Sequence, residues 1–155
     1  MATRLIAVRH AKPASSDPAL YPDDDLRPLL DEGKRAQLEV AEKLKLGGYI
    51  PQLILASPVT RAKETAEILA KVLVSRIETE PALGANFNPD ALIKRFVVGE
   101  TLLVVGHNPT LASFVNSLLG FNFFVGGMPQ SAAIVVEFEG TITYGLASFL
   151  AYYPS

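Results

Sequence analysis

The sequence predicts an α/β fold: one domain over residues 1–155, a three-layer sandwich with helices on both faces of a mostly parallel, doubly wound sheet. Three observations predict it. Short apolar runs alternate with longer segments of helical period, the pattern of successive βα units. The first run, Leu5 to Val8, is apolar without interruption, as a strand buried on both faces must be. No internal repeat, low-complexity tract or linker divides the chain.

The elements follow in order. After the Leu5–Val8 strand comes a loop rich in Pro, Ser and Asp, from Pro13 to Pro28. Asp31 is a fitting N-cap for a helix to about Leu46, with Leu38, Ala41 and Leu44 on one face and Gly47-Gly48 as its stop. Leu53 to Ala56 forms the second strand. Ser57 caps the next helix, with Pro58 at its first position, and the helix runs to about Leu73. Ile77 to Glu80 reads as a short strand, and Asn88-Pro89 opens a helix ending near Val98-Gly99. Thr101 to Gly106 is the third clear strand. Asn108-Pro109 starts a helix that stops near Gly120. Two β-rich runs close the chain, Ala132 to Glu139 and Thr143 to Phe149, turning at Glu139-Gly140.

Composition narrows the function. Apolar residues make up 49% and charged residues 19%, a balance typical of a globular domain. A net charge of -2 gives no overall attraction to nucleic acid or an anionic membrane. The absence of cysteine excludes disulfides, thiolate catalysis and cysteine zinc sites. The apolar run before Arg9 is too short for a signal peptide or a span, so a cytoplasmic, soluble protein is expected. There is no Walker A loop, no Gly-x-Ser-x-Gly elbow and no Gly-x-Gly-x-x-Gly after the first strand. Two distant histidines without carboxylates at ligand spacing make no zinc site, so neither metal nor cofactor is expected.

In doubly wound sheets ligands gather beyond the carboxyl ends of the strands. The first strand runs into Arg9-His10-Ala11-Lys12, the second into Ser57-Pro58-Val59-Thr60-Arg61, and the third into Gly106-His107-Asn108-Pro109. Both histidines of the chain and two of its arginines thus fall on one rim. Guanidinium forks match phosphate oxygens, and helix N-termini near Pro58 and Pro109 aim N–H groups at the same place. The implied site is a phosphate pocket containing an imidazole. Taken singly, Arg61 reads as a solvated helix residue, His107 as a helix cap, and Asp23-Asp24-Asp25 as a solvated turn. Phe121, Phe123 and Phe124 read as core, or as a partner patch if exposed together.

These segments resemble the histidine phosphatase superfamily, whose Arg-His motif corresponds to Arg9 and His10, second arginine to Arg61 and late histidine to His107. Arg9-His10-Ala11-Lys12 and Arg27-Pro28-Leu29 with Gly33 look like its phosphohistidine phosphatase (SixA-type) branch. The resemblance implies a phosphoglycerate mutase-like fold, without the cap domain of larger members since only about thirty residues separate the second helix from the third clear strand, and a metal-independent phosphatase in which His10 takes up the phosphoryl group. Arg9, Arg61 and His107 would clamp its oxygens, with Arg27, the backbone N–H of Asn108 and the rim charge Lys12 as candidate substrate contacts. Superfamily members that act on esters carry an acidic general acid after the second helix. Here Ala82 stands in that place, with Glu80 or Asp90 as possible substitutes. Loss of an acid worth ~10²–10⁴ in rate favours a phosphoramidate, whose imidazole leaves easily. The implied substrate is a phosphohistidine on a protein, such as a histidine phosphotransfer domain, at a shallow, open site. Two alternatives stand beside it: a small-molecule phosphomonoesterase or mutase of the same superfamily, and a non-catalytic module that binds phosphorylated partners.

Overall fold

The computed structural model describes every residue from Met1 to Ser155. Its sheet has six strands: β1 (Ala2–Arg9), β2 (Leu53–Ala56), β3 (Ile77–Thr79), β4 (Thr101–Gly106), β5 (Ala133–Glu139) and β6 (Ser148–Tyr153). They lie in the order β3-β2-β4-β1-β5-β6. β1 to β4 run parallel, while β5 is antiparallel to β1 and β6 antiparallel to β5. Helices α1 (Asp31–Leu46) and α2 (Thr60–Leu73) cover one face. α4 (Thr110–Leu119) covers the other with the short α3 (Pro89–Ile93) and a 3₁₀ turn at Pro81–Leu83. The doubly wound α/β sandwich is therefore as expected, without a cap domain.

Side-chain alternation divides the core. In β1, Leu5 and Ala7 join the α4 side, and Ile6 and Val8 join the α1/α2 side, because successive residues of a strand face opposite ways. Each such aliphatic side chain, fully buried, contributes roughly 1.5–3 kcal/mol. The apolar run Leu5 to Val8 is thus apolar because both of its faces are inside.

Four expectations are corrected in detail. α2 starts at Thr60 with Val59 at its N-cap; the Ser57 hydroxyl is taken by His107 and does not cap the helix. α1 starts at Asp31 behind Leu30, and its inner face is Gly33, Gln37, Val40, Ala41 and Leu44, leaving Leu38 outward. The helix opened by Asn88-Pro89 stops at Ile93; Leu92 is its only buried residue, and Arg95 turns back to Glu78 and Glu80. The last strand begins at Ser148, not Thr143. Gly145 sits at φ 81° and its N–H donates to Ser117 O at 3.0 Å, while Ala147 N–H donates to Leu118 O at 3.0 Å. These bonds tie residues 145–147 to the end of α4, so pairing with β5 begins only afterwards. No helix is long and apolar enough to cross a membrane.

Candidate active site

The strand order explains how distant residues meet. β2, β4 and β1 are consecutive neighbours, with Arg9 level with Gly106 and both Ala56 and Val8 level with Val105. Just beyond that line, the N–H of His10 donates to Gly106 O at 3.1 Å, and that of Ser57 to Val105 O at 3.1 Å. The residues leaving all three strands therefore emerge side by side, and the ring centroids of His10 and His107 are 5.1 Å apart. Arg9, His10, Arg27, Arg61, His107 and Asn108 all line one cleft of about 670 Å³. Lys12 does not: its ammonium lies 3.0 Å from Glu32 on an adjacent surface. The rim at Asp25, Pro58, Ala85 and Pro109 is exposed, yet His10 is only 6% exposed. The mouth is open as expected, but the floor is recessed rather than shallow.

Hydrogen bonds fix the two imidazoles. His10 Nδ1 lies 2.8 Å from Ala11 O; a carbonyl only accepts, so the neutral ring carries its proton on Nδ1 and leaves the Nε2 lone pair free. His107 Nε2 shares a 2.7 Å hydrogen bond with the buried hydroxyl of Ser57. Burial lowers the pKa of His10 to about 4, with further lowering from His107, Arg9 and Arg61. Burial likewise brings His107 down to about 4, with Arg61 and Arg9 adding to it and Asp25 opposing. Two cationic rings at this separation would repel by on the order of 3 kcal/mol at an effective dielectric near ~20. Both rings are neutral at pH 7.

The guanidiniums are placed from three directions. Arg9 Nη1 donates to Met128 O at 3.0 Å, its Nε is buried without a partner, and burial lowers its pKa. Arg61, from the first turn of α2, donates from Nη1 to the backbone oxygen of Asp24 at 3.1 Å and stands 3.6 Å from the Asp24 carboxylate. Arg27 donates from Nε to the same carboxylate at 2.8 Å and from Nη1 to Ala14 O at 2.8 Å. The pair with Arg27 holds the Asp24 carboxyl below its ordinary range. Asp24 therefore ties two guanidiniums together, a role the reading of residues 23–25 as a solvated turn missed. The acidic run beside Arg27-Pro28 was the available signal, but the partner Arg61 lies on another element.

Supporting contacts hold this frame. Thr65 Oγ1 accepts from Ala11 N at 3.0 Å and donates to Arg61 O at 2.8 Å, joining the β1 exit to α2. The side chain of Asn108 donates to Met128 O and accepts from Met128 N–H, each at 2.9 Å. Ala82 is buried in its 3₁₀ turn and does not line the cleft. Glu80 accepts from Arg95 at 2.7 Å and from Ala82 N–H at 3.1 Å, and Asp90 is exposed on α3. Neither acid lines the cleft, whose one carboxylate is Asp25. The assembled chemistry is an unprotonated ring nitrogen at the floor of a recess under three guanidiniums. Such a recess can hold a phosphoryl group and disperse the charge on its oxygens.

The model of the histidine phosphatase superfamily (branch 1) matches residues 5–85. An uncharacterized protein of Picosynechococcus sp. is 29% identical over 113 residues, covering 67% of this chain and 67% of that protein. A solved candidate phosphohistidine phosphatase, SixA from Agrobacterium tumefaciens, superposes with a TM-score of 0.83 at 22% identity, covering 99% of this chain and 97% of its own. A protein histidine phosphatase SixA complexed with tungstate superposes with a TM-score of 0.78 at 23% identity, covering 97% and 96%. At such identities these two structures speak for the fold.

Proposed function

We propose that this chain, which belongs to the histidine phosphatase superfamily, is a cytoplasmic phosphohistidine phosphatase acting on a protein carrier without metal or cofactor. In this reading His10 Nε2 attacks phosphorus while the P–N bond to the substrate imidazole breaks, giving phospho-His10. Protonated on its other nitrogen, the substrate ring leaves as neutral imidazole. Water then attacks the phospho-His10, phosphate departs, and the free ring nitrogen is restored. Splitting one displacement in two is the gain from a covalent nucleophile. Arg9, Arg61 and His107 bind the oxygens, with Arg27 and the Asn108 backbone N–H completing the recess and Lys12 a charge outside it.

The observation that carries the choice of substrate is the scarcity of acids in the cleft. Its lining includes Gly84 and Ala85 and a single carboxylate, Asp25, while Glu80 is held by Arg95 outside it. An alkoxide leaving group would need an acid there; a protonated imidazole does not. The second reading, a small-molecule phosphomonoesterase or mutase, is favoured by Asp25, which lines the mouth. The test compares phosphate release from a histidine phosphotransfer domain phosphorylated on histidine with release from phosphoglycerate and a phosphoserine peptide. A preference for the phosphohistidine protein, lost in His10→Ala, is expected. Faster ester hydrolysis would favour the second reading, and tight phosphate binding without turnover would leave a binding module.

A further inference from the structure

The catalytic cleft does not end at His107. Pro109 and Thr110 also line a second concavity of about 250 Å³, and Ser113 and Ser117 of that concavity line a third of about 440 Å³. The three follow one another along the outer face of α4. From Thr110 to Gly120 that face extends about 15 Å at 1.5 Å per residue. Phe87, Tyr144 and Phe121 border it, with Tyr144 47% and Phe121 54% exposed. Unlike the cleft, neither extension is lined by a charged residue, although 19% of the chain is charged.

We infer that this groove is where the protein carrying the phosphohistidine docks, through an uncharged segment beside the modified residue. The inference rests on the phosphohistidine reading above and names its partner surface. A phosphorylated metabolite fits within the cleft and gains nothing from an uncharged channel leading away from it. A carrier protein has to supply contact beyond its phosphoryl group, and exposed aromatics at the edge of a concavity are the groups that anchor such contacts. Continuity through Pro109 and Thr110 lets one partner fill groove and cleft together. The absence of charge, with Ser113, Asn116 and Asn122 beside the aromatics, matches a partner segment that is uncharged rather than acidic.

The variants Ser113→Arg and Tyr144→Ala separate this from a general effect on catalysis, since both positions are exposed and outside the cleft. Steady-state rates would be measured on a phosphorylated histidine phosphotransfer domain and on free phosphohistidine. KM for the domain is expected to rise by about tenfold, with kcat/KM for free phosphohistidine within about twofold of wild type. Unchanged KM for the domain, or an equal loss on both substrates, would overturn the docking assignment. No turnover of either substrate by the wild-type protein would instead remove the phosphohistidine reading, and the docking assignment with it.

Discussion

In the proposed reading His10 attacks phosphorus and so needs one free lone pair, which it keeps by position rather than by a neighbouring base. Its Nδ1 proton is committed to Ala11 O, and burial among cations makes a second proton unfavourable. In the folded protein His10 and His107 both take up a proton only near 4, whereas an unfolded chain takes them up near ~6.5. Between those values the unfolded state binds more protons, so stability declines as pH falls through that window and is undiminished above it. An NMR titration of the two imidazole C2 protons, assigned with His10→Asn, should give midpoints near 4 for both rings. A midpoint near the ordinary value would mean that the recess is wetter than its burial implies. Ser57 and Asp24 act at the same scale. Neither carries chemistry in this account, yet one fixes a ring of the pair and the other joins two guanidiniums.

At the scale of elements, the parts legible in the sequence were those that depend on local pattern. The apolar runs of β1, β2 and β4 marked three strands, and the polar residues just after them marked the site, because a parallel sheet delivers its strand ends to one edge. What escaped were bonds between elements. Ser57 reads as a helix cap until His107 is brought beside it. The β-rich run at 143–149 reads as a strand until Gly145 and Ala147 bond to the end of α4. Lys12, adjacent to the motif in sequence, points to Glu32 and away from the cleft. Gly33 shows a local signal with a tertiary cause. A Cβ there would stand 2.5 Å from Lys12 O and 3.0 Å from Lys12 N, so the backbone leaving β1 is pressed against the start of α1. Gly33→Ala must separate them, and is expected to cost about 1–3 kcal/mol of stability. It should also slow turnover, because the same backbone carries His10. Urea unfolding at pH 7 alongside kcat/KM measures both; an unchanged unfolding midpoint would show that the contact yields freely.

At the scale of the whole molecule, a chain of net charge -2 concentrates three arginines around one recess with a single carboxylate, Asp25, in its lining. Local concentration of charge, not the total, is what the proposed phosphate site depends on. The fold achieves this by setting β4 between β2 and β1, so that residues 9, 61 and 107 converge although the sequence separates them widely. In the proposed reading the groove along α4 extends the recess toward the carrier protein. Everything in this account turns on phosphorus passing through His10. The most direct measurement is a rapid base quench of the wild-type protein mixed with a ³²P-labelled phosphohistidine carrier, followed by peptide mapping. Label that is stable to base, labile to acid and confined to the peptide containing His10 is the expected result, with none in His10→Ala. Release of phosphate at the wild-type rate by His10→Ala, or turnover without any label on His10, would contradict the account.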